Sequence, residues 1–181
     1  MKRYVLAITG ASGTIYAKTL YDCLKRMGLE IHLVISDNGK LVMKKELGIN
    51  ENYFNSEKAI CYENSDLTAP IANGSFLTNG MVIVPCSMAT LGAISHGLST
   101  NLIQRAADVC LKERRKLILV PRETPLSSIH LSNMLQISQS GGIILPAMPG
   151  FYRKPKRIRD LVDFIVRKIL AHLEITAETP E

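Results

Sequence analysis

The sequence predicts an α/β fold, in which a doubly wound parallel sheet lies between two layers of helices. Apolar runs rich in β-branched residues alternate with helix-period segments along the chain, a pattern typical of parallel sheets covered on both faces. The 181 residues, of which 46% are hydrophobic, suffice for one core. No internal repeat or linker interrupts the pattern, so we expect a single domain, a three-layer sandwich that spans residues 1–181.

The first three elements show the pattern most clearly. Residues 4–9 form a short apolar run that predicts a strand. Residues 14–27 place apolar side chains at helical spacing, and Gly28 stands where such a helix should end. Residues 30–35 predict the second strand, which ends at Ser36.

The alternation continues to the end of the chain after a weaker stretch. Residues 40–47 look helical, and the polar, turn-rich residues 48–79 contain one short predicted strand at 59–62. Residues 81–84 are wholly apolar and predict a buried strand. The remaining predicted elements are helices at 90–96 and 100–115, a strand at 116–120, a helix at 127–138, a strand at 142–145 and a helix at 158–173.

Positive charge is concentrated in two short segments. The net charge is +6, and residues 105–122 hold six basic and two acidic side chains while residues 153–168 hold seven and two. Such focusing suits an anionic partner, either a small phosphate compound or a nucleic acid, although a solvated helix face gives the same counts. Tryptophan is absent and 6% of residues are aromatic, which disfavours nucleic acid because few side chains can stack on bases.

Simple counts exclude several other classes of protein. No apolar run reaches about 18 residues, so we expect no membrane segment. The apolar run at 4–8 is too short for a secretory signal, and we expect a cytoplasmic protein. The four cysteines are far apart and the four histidines do not cluster, which predicts that no metal is bound.

Glycine, hydroxyl and charged residues follow the carboxyl ends of the predicted strands, where ligands bind in open α/β sheets. Gly10 and Gly13 allow a tight turn into a helix whose free N–H groups can receive an anion, or they simply connect the two elements. Arg122 offers a guanidinium suited to phosphate and Glu123 a general acid or base, unless the two form a surface ion pair. Lys112 either faces a ligand phosphate or complements the C-terminus of a helix.

Several blocks of sequence resemble a known family. They are ITGASG (8–13), PCSMATL (85–91), NLIQRAADV (101–109), LKERR (111–115), RETPL (122–126), IHLSNM (129–134) and PGFY (149–152). In this order they are similar to the UbiX family of flavin prenyltransferases, from about residue 3 to residue 170. The resemblance implies a flavodoxin-like or Rossmann-like flavoprotein domain.

The resemblance also implies a reaction and its partners. Enzymes of this family join the five-carbon group of dimethylallyl phosphate to N5 and C6 of reduced FMN. The product, prenylated FMN, is used by a separate UbiD-type decarboxylase. Family members form dodecamers, so the resemblance implies a homo-oligomer. The sequence has no Asp-rich magnesium motif, and we expect transfer without a metal.

Site residues follow from the resemblance by position. The implied FMN contacts are Gly10, Ala11, Ser12, Ser36, Ser87, Met88, Ala89, Thr90 and Arg122. The implied contacts with the prenyl phosphate are Tyr152, Lys168, Lys112 and Arg122. Glu123 is the candidate for proton handling, and Ser12, Glu46 and Lys112 are the other catalytic candidates.

Two other functions stay open. FMN-dependent decarboxylases share this fold but rely on a catalytic histidine and an asparagine-containing loop, and loop 85–90 has no asparagine here. A non-catalytic flavin carrier, as a subunit of a decarboxylase, needs the same FMN pocket. It does not need the cationic set Lys112, Arg122 and Lys168, which therefore favours the transferase.

Overall fold

One parallel sheet organises the chain. The structure, a computed structural model, describes residues 2–175. The strands are β1 (Arg3–Ile8), β2 (Glu30–Ile35), β3 (Ala59–Tyr62), β4 (Met81–Cys86), β5 (Leu117–Pro121) and β6 (Ile143–Ile144). They lie in the order β3-β2-β1-β4-β5-β6, and every pair is parallel.

Helices cover both faces of this sheet. They are α1 (Thr14–Arg26), α2 (Asp37–Leu47), α3 (Met88–Ser95), α4 (Leu102–Lys112), α5 (Ser128–Gln139) and α6 (Ile158–His172). Successive side chains of β1 point to opposite faces: Leu6 and Ile8 pack with α1 and α6, whereas Val5 and Ala7 pack with α3 and α4. The predicted three-layer sandwich is confirmed. Within residues 2–175, no helix has the length and apolarity needed to cross a membrane.

Several boundaries differ from the prediction, and two of these differences have clear local reasons. α2 begins at Asp37 rather than at residue 40 because Ser36 caps it, its Oγ accepting from the Gly39 N–H at 3.1 Å. Gly39 is a poor helix former, which hides this start in the sequence. β4 continues to Cys86 because its register with β5 shifts after Ile83 and pairing then resumes.

The direction of strand addition reverses between β1 and β4. β1 pairs with β2 on one side and with β4 on the other, so the connections that follow these two strands leave in opposite directions. A crevice therefore opens at the carboxyl ends of β1 and β4, the usual ligand site of an open α/β sheet.

Candidate functional site

Close backbone packing shapes the loop after β1. Gly10 lies against the first turn of α2, where a Cβ would overlap Asn38. Gly39 lies in turn against β1, where a Cβ would come within 2.7 Å of the Ile8 carbonyl oxygen. Because neither position has a side chain, the loop after β1 and the first turn of α2 pack closely together at the carboxyl end of β1.

The N-terminus of α1 is held by a carboxylate of the chain itself. Glu46, in the last turn of α2, accepts hydrogen bonds from the N–H groups of Gly13 (3.1 Å) and Thr14 (3.0 Å) and from the Thr14 hydroxyl (2.8 Å). Burial alone would raise the pKa of Glu46, but the neighbouring Ser12 hydroxyl and these bonds lower it below its ordinary value. The anion predicted at this helix start is therefore Glu46 rather than a ligand, and Ser12 lies beside it.

A buried hydroxyl joins the loops after β1 and β4. Thr9 is only 1% exposed. Its Oγ1 donates to the Pro85 carbonyl oxygen (2.8 Å) and accepts from the Ser87 N–H (2.7 Å). The two walls of the crevice are thus fixed to one another.

Two serines of the implied flavin set are helix caps. Ser36 Oγ accepts from an N–H in the first turn of α2 (3.1 Å), and Ser87 Oγ accepts from the Thr90 N–H at the start of α3 (3.3 Å). Ser87 Oγ also lies 3.0 Å from Thr90 Oγ1. Met88 and Ala89 form the first turn of α3, whose N–H groups lack partners within the helix. This turn can therefore receive an anionic group in the crevice.

Arg122 and Glu123 follow β5 at the same edge of the sheet. Both are exposed, and Glu123 Oε1 accepts from the Thr124 N–H at 3.0 Å. None of the ion pairs found within residues 2–175 joins the two side chains. The ion-pair interpretation of this sequence is therefore not supported, and both groups can face a ligand.

Tyr152 lies in the loop between β6 and α6. Its side chain is 74% exposed, and its ring packs edge-on against Phe164 with the centroids 6.1 Å apart. Lys168 is exposed on α6, about 15 Å along the helix axis from Ile158 at its start. The neighbouring Arg167, rather than Lys168, lines the cavity beside this loop.

Lys112 is not brought to this edge by its own chain. α4 ends at Lys112, shortly before β5 begins, so this residue lies at the amino-terminal edge of the sheet. There it pairs with Glu113, and the nearby Arg115 donates to the Phe76 carbonyl oxygen (2.8 Å). Within one chain, Lys112 does not face the prenyl phosphate in this site, which corrects the expectation. Lys112 lies at the amino-terminal edge of the sheet and the site at the carboxyl-terminal edge, so the length of the strands separates them.

Nucleophilic and metal chemistry find little support in these residues. Cys86 is fully buried, and burial raises the pKa of its thiol far above the ordinary value, so it stays protonated. His130 caps α5, its Nδ1 accepting from the Ser127 N–H at 3.3 Å. In the part of the chain that is described, no three His, Cys, Asp or Glu side chains are grouped as metal ligands.

Comparison with known proteins assigns the chain to a family. A family model described as "Flavoprotein" matches residues 1–170. The protein named flavin prenyltransferase UbiX of Methanothermobacter thermautotrophicus is 51% identical over 175 residues, which cover 97% of this chain and 92% of that protein. This chain belongs to the UbiX family of flavin prenyltransferases.

Two solved structures match this UbiX-family chain over nearly its whole length. AnUbiX (PadA1), in complex with FMN and dimethylallyl pyrophosphate, has a TM-score of 0.93 and 39% identity, covering 99% of this chain and 98% of that one. A dodecameric FMN-dependent UbiX-like decarboxylase from Escherichia coli O157:H7 has a TM-score of 0.95 and 38% identity, covering 99% and 97%. The predicted family, fold and flavin-linked enzyme class are confirmed.

Three residues that shape the site escaped the sequence analysis. Thr9 ends an apolar strand, and nothing local distinguishes its hydroxyl from that of a solvated threonine. Asn38 matters because its Cβ and backbone lie directly against Gly10. The pair of glycines at 10 and 39 was the signal in the sequence that could have suggested this close contact. Arg167 belongs to a basic segment in which sequence alone does not tell which cation faces a cavity.

Proposed function

We propose that the chain, acting as one flavoprotein domain (residues 1–181), transfers the dimethylallyl group of dimethylallyl phosphate to reduced FMN. The C–O bond to phosphate breaks as the first allyl carbon bonds to flavin N5, which loses its proton. The double bond then takes up a proton as its tertiary carbon bonds to C6, the C6 proton leaves, and inorganic phosphate is released. The observation that carries the proposal is the crevice at the β1/β4 reversal point, in a chain of the flavin prenyltransferase family.

Three features of the crevice support FMN binding. The loop Gly10, Ala11, Ser12 carries only small side chains, which lets a flavin approach its backbone closely. The first turn of α3 offers N–H groups to a phosphate. Arg122 adds a permanent cation at the same edge, with a planar fork that suits phosphate oxygens.

The prenyl donor is proposed to lie between Tyr152, Lys168 and Arg122. Departure of phosphate leaves positive charge on the allyl group, which the face of a tyrosine ring can stabilise. Lysine and arginine side chains stabilise the negative charge on the leaving phosphate. This division of charge supports transfer without a metal ion, because the cations take the place that magnesium has in other prenyl transfers.

Proton handling is assigned to Glu123. Its carboxylate is exposed at the strand end, where it can accept the proton from flavin C6. Glu46 and Ser12 form a second polar corner, and the lowered pKa keeps Glu46 ionised. We propose that this corner positions the flavin ring rather than exchanges its protons.

Assembly into a homo-dodecamer accounts for Lys112 and for exposed apolar side chains. Lys112 reaches a prenyl phosphate only in the site of another chain, since its own site lies at the opposite edge. Three apolar side chains of α5, Ile129, Leu131 and Leu135, are each more than half exposed, as expected of a surface that another chain covers. Light scattering should give about 240 kDa, twelve times the 20.0 kDa chain; a monomeric mass would contradict the proposal.

The product is proposed to pass to a UbiD-type decarboxylase in the cytoplasm. Prenylated FMN made by this chain should activate such an apo-decarboxylase when the two purified proteins are mixed under anaerobic conditions. A decarboxylase that stays inactive although prenylated FMN is present would contradict the delivery step and leave the transfer step unaffected.

The deciding experiment is a mass analysis of flavin. The protein is incubated anaerobically with reduced FMN and dimethylallyl phosphate in the presence of a chelator, and the flavin is extracted. Flavin heavier by one five-carbon unit is the expected result. Unmodified FMN that stays bound to the protein would favour a carrier or a decarboxylase, and absence of bound flavin would overturn the proposal.

Two variants separate the roles of the residues after β5. Arg122→Ala should weaken the response of turnover to prenyl phosphate, while Arg26→Ala, which removes a cation at the opposite edge, should not. Glu123→Gln should retain FMN affinity and lose turnover. Unchanged turnover in Glu123→Gln would remove this residue from the mechanism.

A further inference from the structure

A cationic cavity lies between α6 and the loop that follows β6. Its volume is about 290 Å³, near the lower limit of small-molecule sites, which occupy about 300–1,000 Å³. Phe164 contributes an apolar wall. Four cationic side chains line the cavity: Arg153, Lys154, Lys156 and Arg167.

The two carboxylates that line the cavity are engaged by arginines outside it. Asp160 accepts from the N–H groups of Lys156 and Arg157 (2.9 Å each) and from the Arg157 guanidinium (3.0 Å). Asp163 faces Arg159 at 3.6 Å. Arg157 and Arg159 are not part of the cavity lining, so their charges balance the carboxylates and the cavity keeps its positive charge.

The four lining cations lack such balance. None of their side-chain nitrogens lies within 4.0 Å of a carboxylate oxygen among residues 2–175. Like charges that share a cavity repel one another unless an anion enters. A phosphate monoester carries about two negative charges at neutral pH, which is less than four cations can accommodate. A compact anion with more than one phosphate fits both the charge and the volume.

We infer that this cavity binds a diphosphate group. Arg153 and Arg167 bring planar forks that suit paired phosphate oxygens, and Lys154 and Lys156 bring compact charges. A recessed site favours a small polyanion over an extended one. Inorganic diphosphate and a prenyl diphosphate ester share the chemistry recognised here.

The position of Tyr152 suggests where the diphosphate comes from. Its ring packs against Phe164 in the cavity wall, and Tyr152 is one of the residues proposed to hold the prenyl donor. Assignment of the cavity to a donor head group adds the diphosphate ester as a second donor of the proposed transfer, with inorganic diphosphate as its leaving group, and therefore rests on the proposed function. The existence of the site rests on the cavity and its cations alone.

Calorimetric titration of the intact protein with inorganic diphosphate tests the site directly. The titration is run in a chelator, so that no metal–diphosphate complex contributes, and orthophosphate is the reference. We expect diphosphate to bind at least tenfold more tightly than orthophosphate. The double variant Arg153→Gln and Lys156→Gln should lose at least tenfold in affinity.

A control variant distinguishes a specific site from general positive charge. The double variant Lys44→Gln and Lys45→Gln removes the same charge from the exposed surface of α2 and should change the affinity less than twofold. An equal loss in both double variants, or equal affinity for diphosphate and orthophosphate, would overturn the inference. Matching urea midpoints of the variants and the wild type exclude unfolding as the cause.

Competition then identifies the source of the diphosphate. Displacement of inorganic diphosphate by dimethylallyl diphosphate, but not by dimethylallyl phosphate, assigns the site to the head group of a diphosphate donor. Binding of inorganic diphosphate that neither ester displaces assigns it to the free ion. The titration uses neither flavin nor turnover, so failure of prenyl transfer leaves this inference intact, and absent diphosphate binding leaves the proposed function intact.

Discussion

Replacing Thr9 by valine tests the connection between the two walls of the crevice. Valine keeps the volume of the side chain and removes its hydroxyl. The Pro85 carbonyl oxygen keeps the Thr9 N–H as a donor at 3.2 Å, so the loss of its second bond costs about 1 kcal/mol. The Ser87 N–H loses its acceptor in a partly buried position, which costs about 1–2 kcal/mol. We expect the free energy of unfolding to fall by about 2–3 kcal/mol.

Thr9→Ser is the matched control, because serine keeps the hydroxyl and loses one methyl group. Its expected cost is about 1 kcal/mol. Urea unfolding followed by circular dichroism at one protein concentration measures both variants, with an unchanged slope required for the comparison. Fluorescence titration should also show weaker FMN binding in Thr9→Val alone. If serine proves as destabilising as valine, packing rather than hydrogen bonding joins the walls and the argument fails.

Three further perturbations test other contacts. Gly10→Ala should weaken FMN binding and lower the urea midpoint because its methyl overlaps Asn38, and adding Asn38→Gly should recover part of both; no recovery would refute the steric explanation. Burial lowers the pKa of His32 although its carboxylate partner opposes this. The stability contributed by the neutral imidazole is therefore fully present above pH 6.5 and is lost as the pH falls further. The urea midpoint of the wild type should be lower at about pH 5.5 than at about pH 7.5, and His32→Gln should reduce this difference. Burial raises the pKa of Glu46, but hydrogen bonds lower it below its ordinary value. The stabilisation of α1 by the Glu46 carboxylate is therefore fully present above pH 4.5 and is lost as the pH falls further. Glu46→Gln should therefore lose about 1 kcal/mol at neutral pH after allowance for solvent exposure, whereas Glu57→Gln, in an exposed turn, should unfold like the wild type.

The strands were predictable because a sheet buried on both faces demands continuous apolar runs. The wholly apolar run at 81–84 lies within β4, which is buried throughout. The run at 59–62 coincides with β3, an edge strand that is partly exposed, and there the surrounding turn residues delimit the strand. Helix starts were less predictable where a cap precedes a glycine, as at Ser36 and Gly39. Local pattern and local structure agree wherever burial alone decides the outcome.

Contacts between distant residues were beyond the sequence. Glu46 caps a helix that begins 32 positions earlier at Thr14, and no local pattern records such a partner. Lys112 is a different case: the resemblance placed it at the prenyl phosphate, although the predicted order of helix 100–115 and strand 116–120 in a parallel sheet already puts the end of this helix at the amino-terminal edge. Which of Arg167 and Lys168 lines the cavity depends on the rotation of α6 about its axis, and both face solvent in part.

The central place of β1 has a consequence for synthesis on the ribosome. β1 is made before the other strands of this sheet, yet one of its neighbours, β4, ends only at Cys86. A nascent chain shorter than this exposes the backbone groups along one side of β1, and unpaired strand edges promote aggregation. Chains truncated between residues 47 and 80 should therefore associate through β1, while chains that extend past β5 should not. The order in which the ribosome delivers the strands leaves one side of β1, in the centre of this sheet, unpaired until β4 has been made.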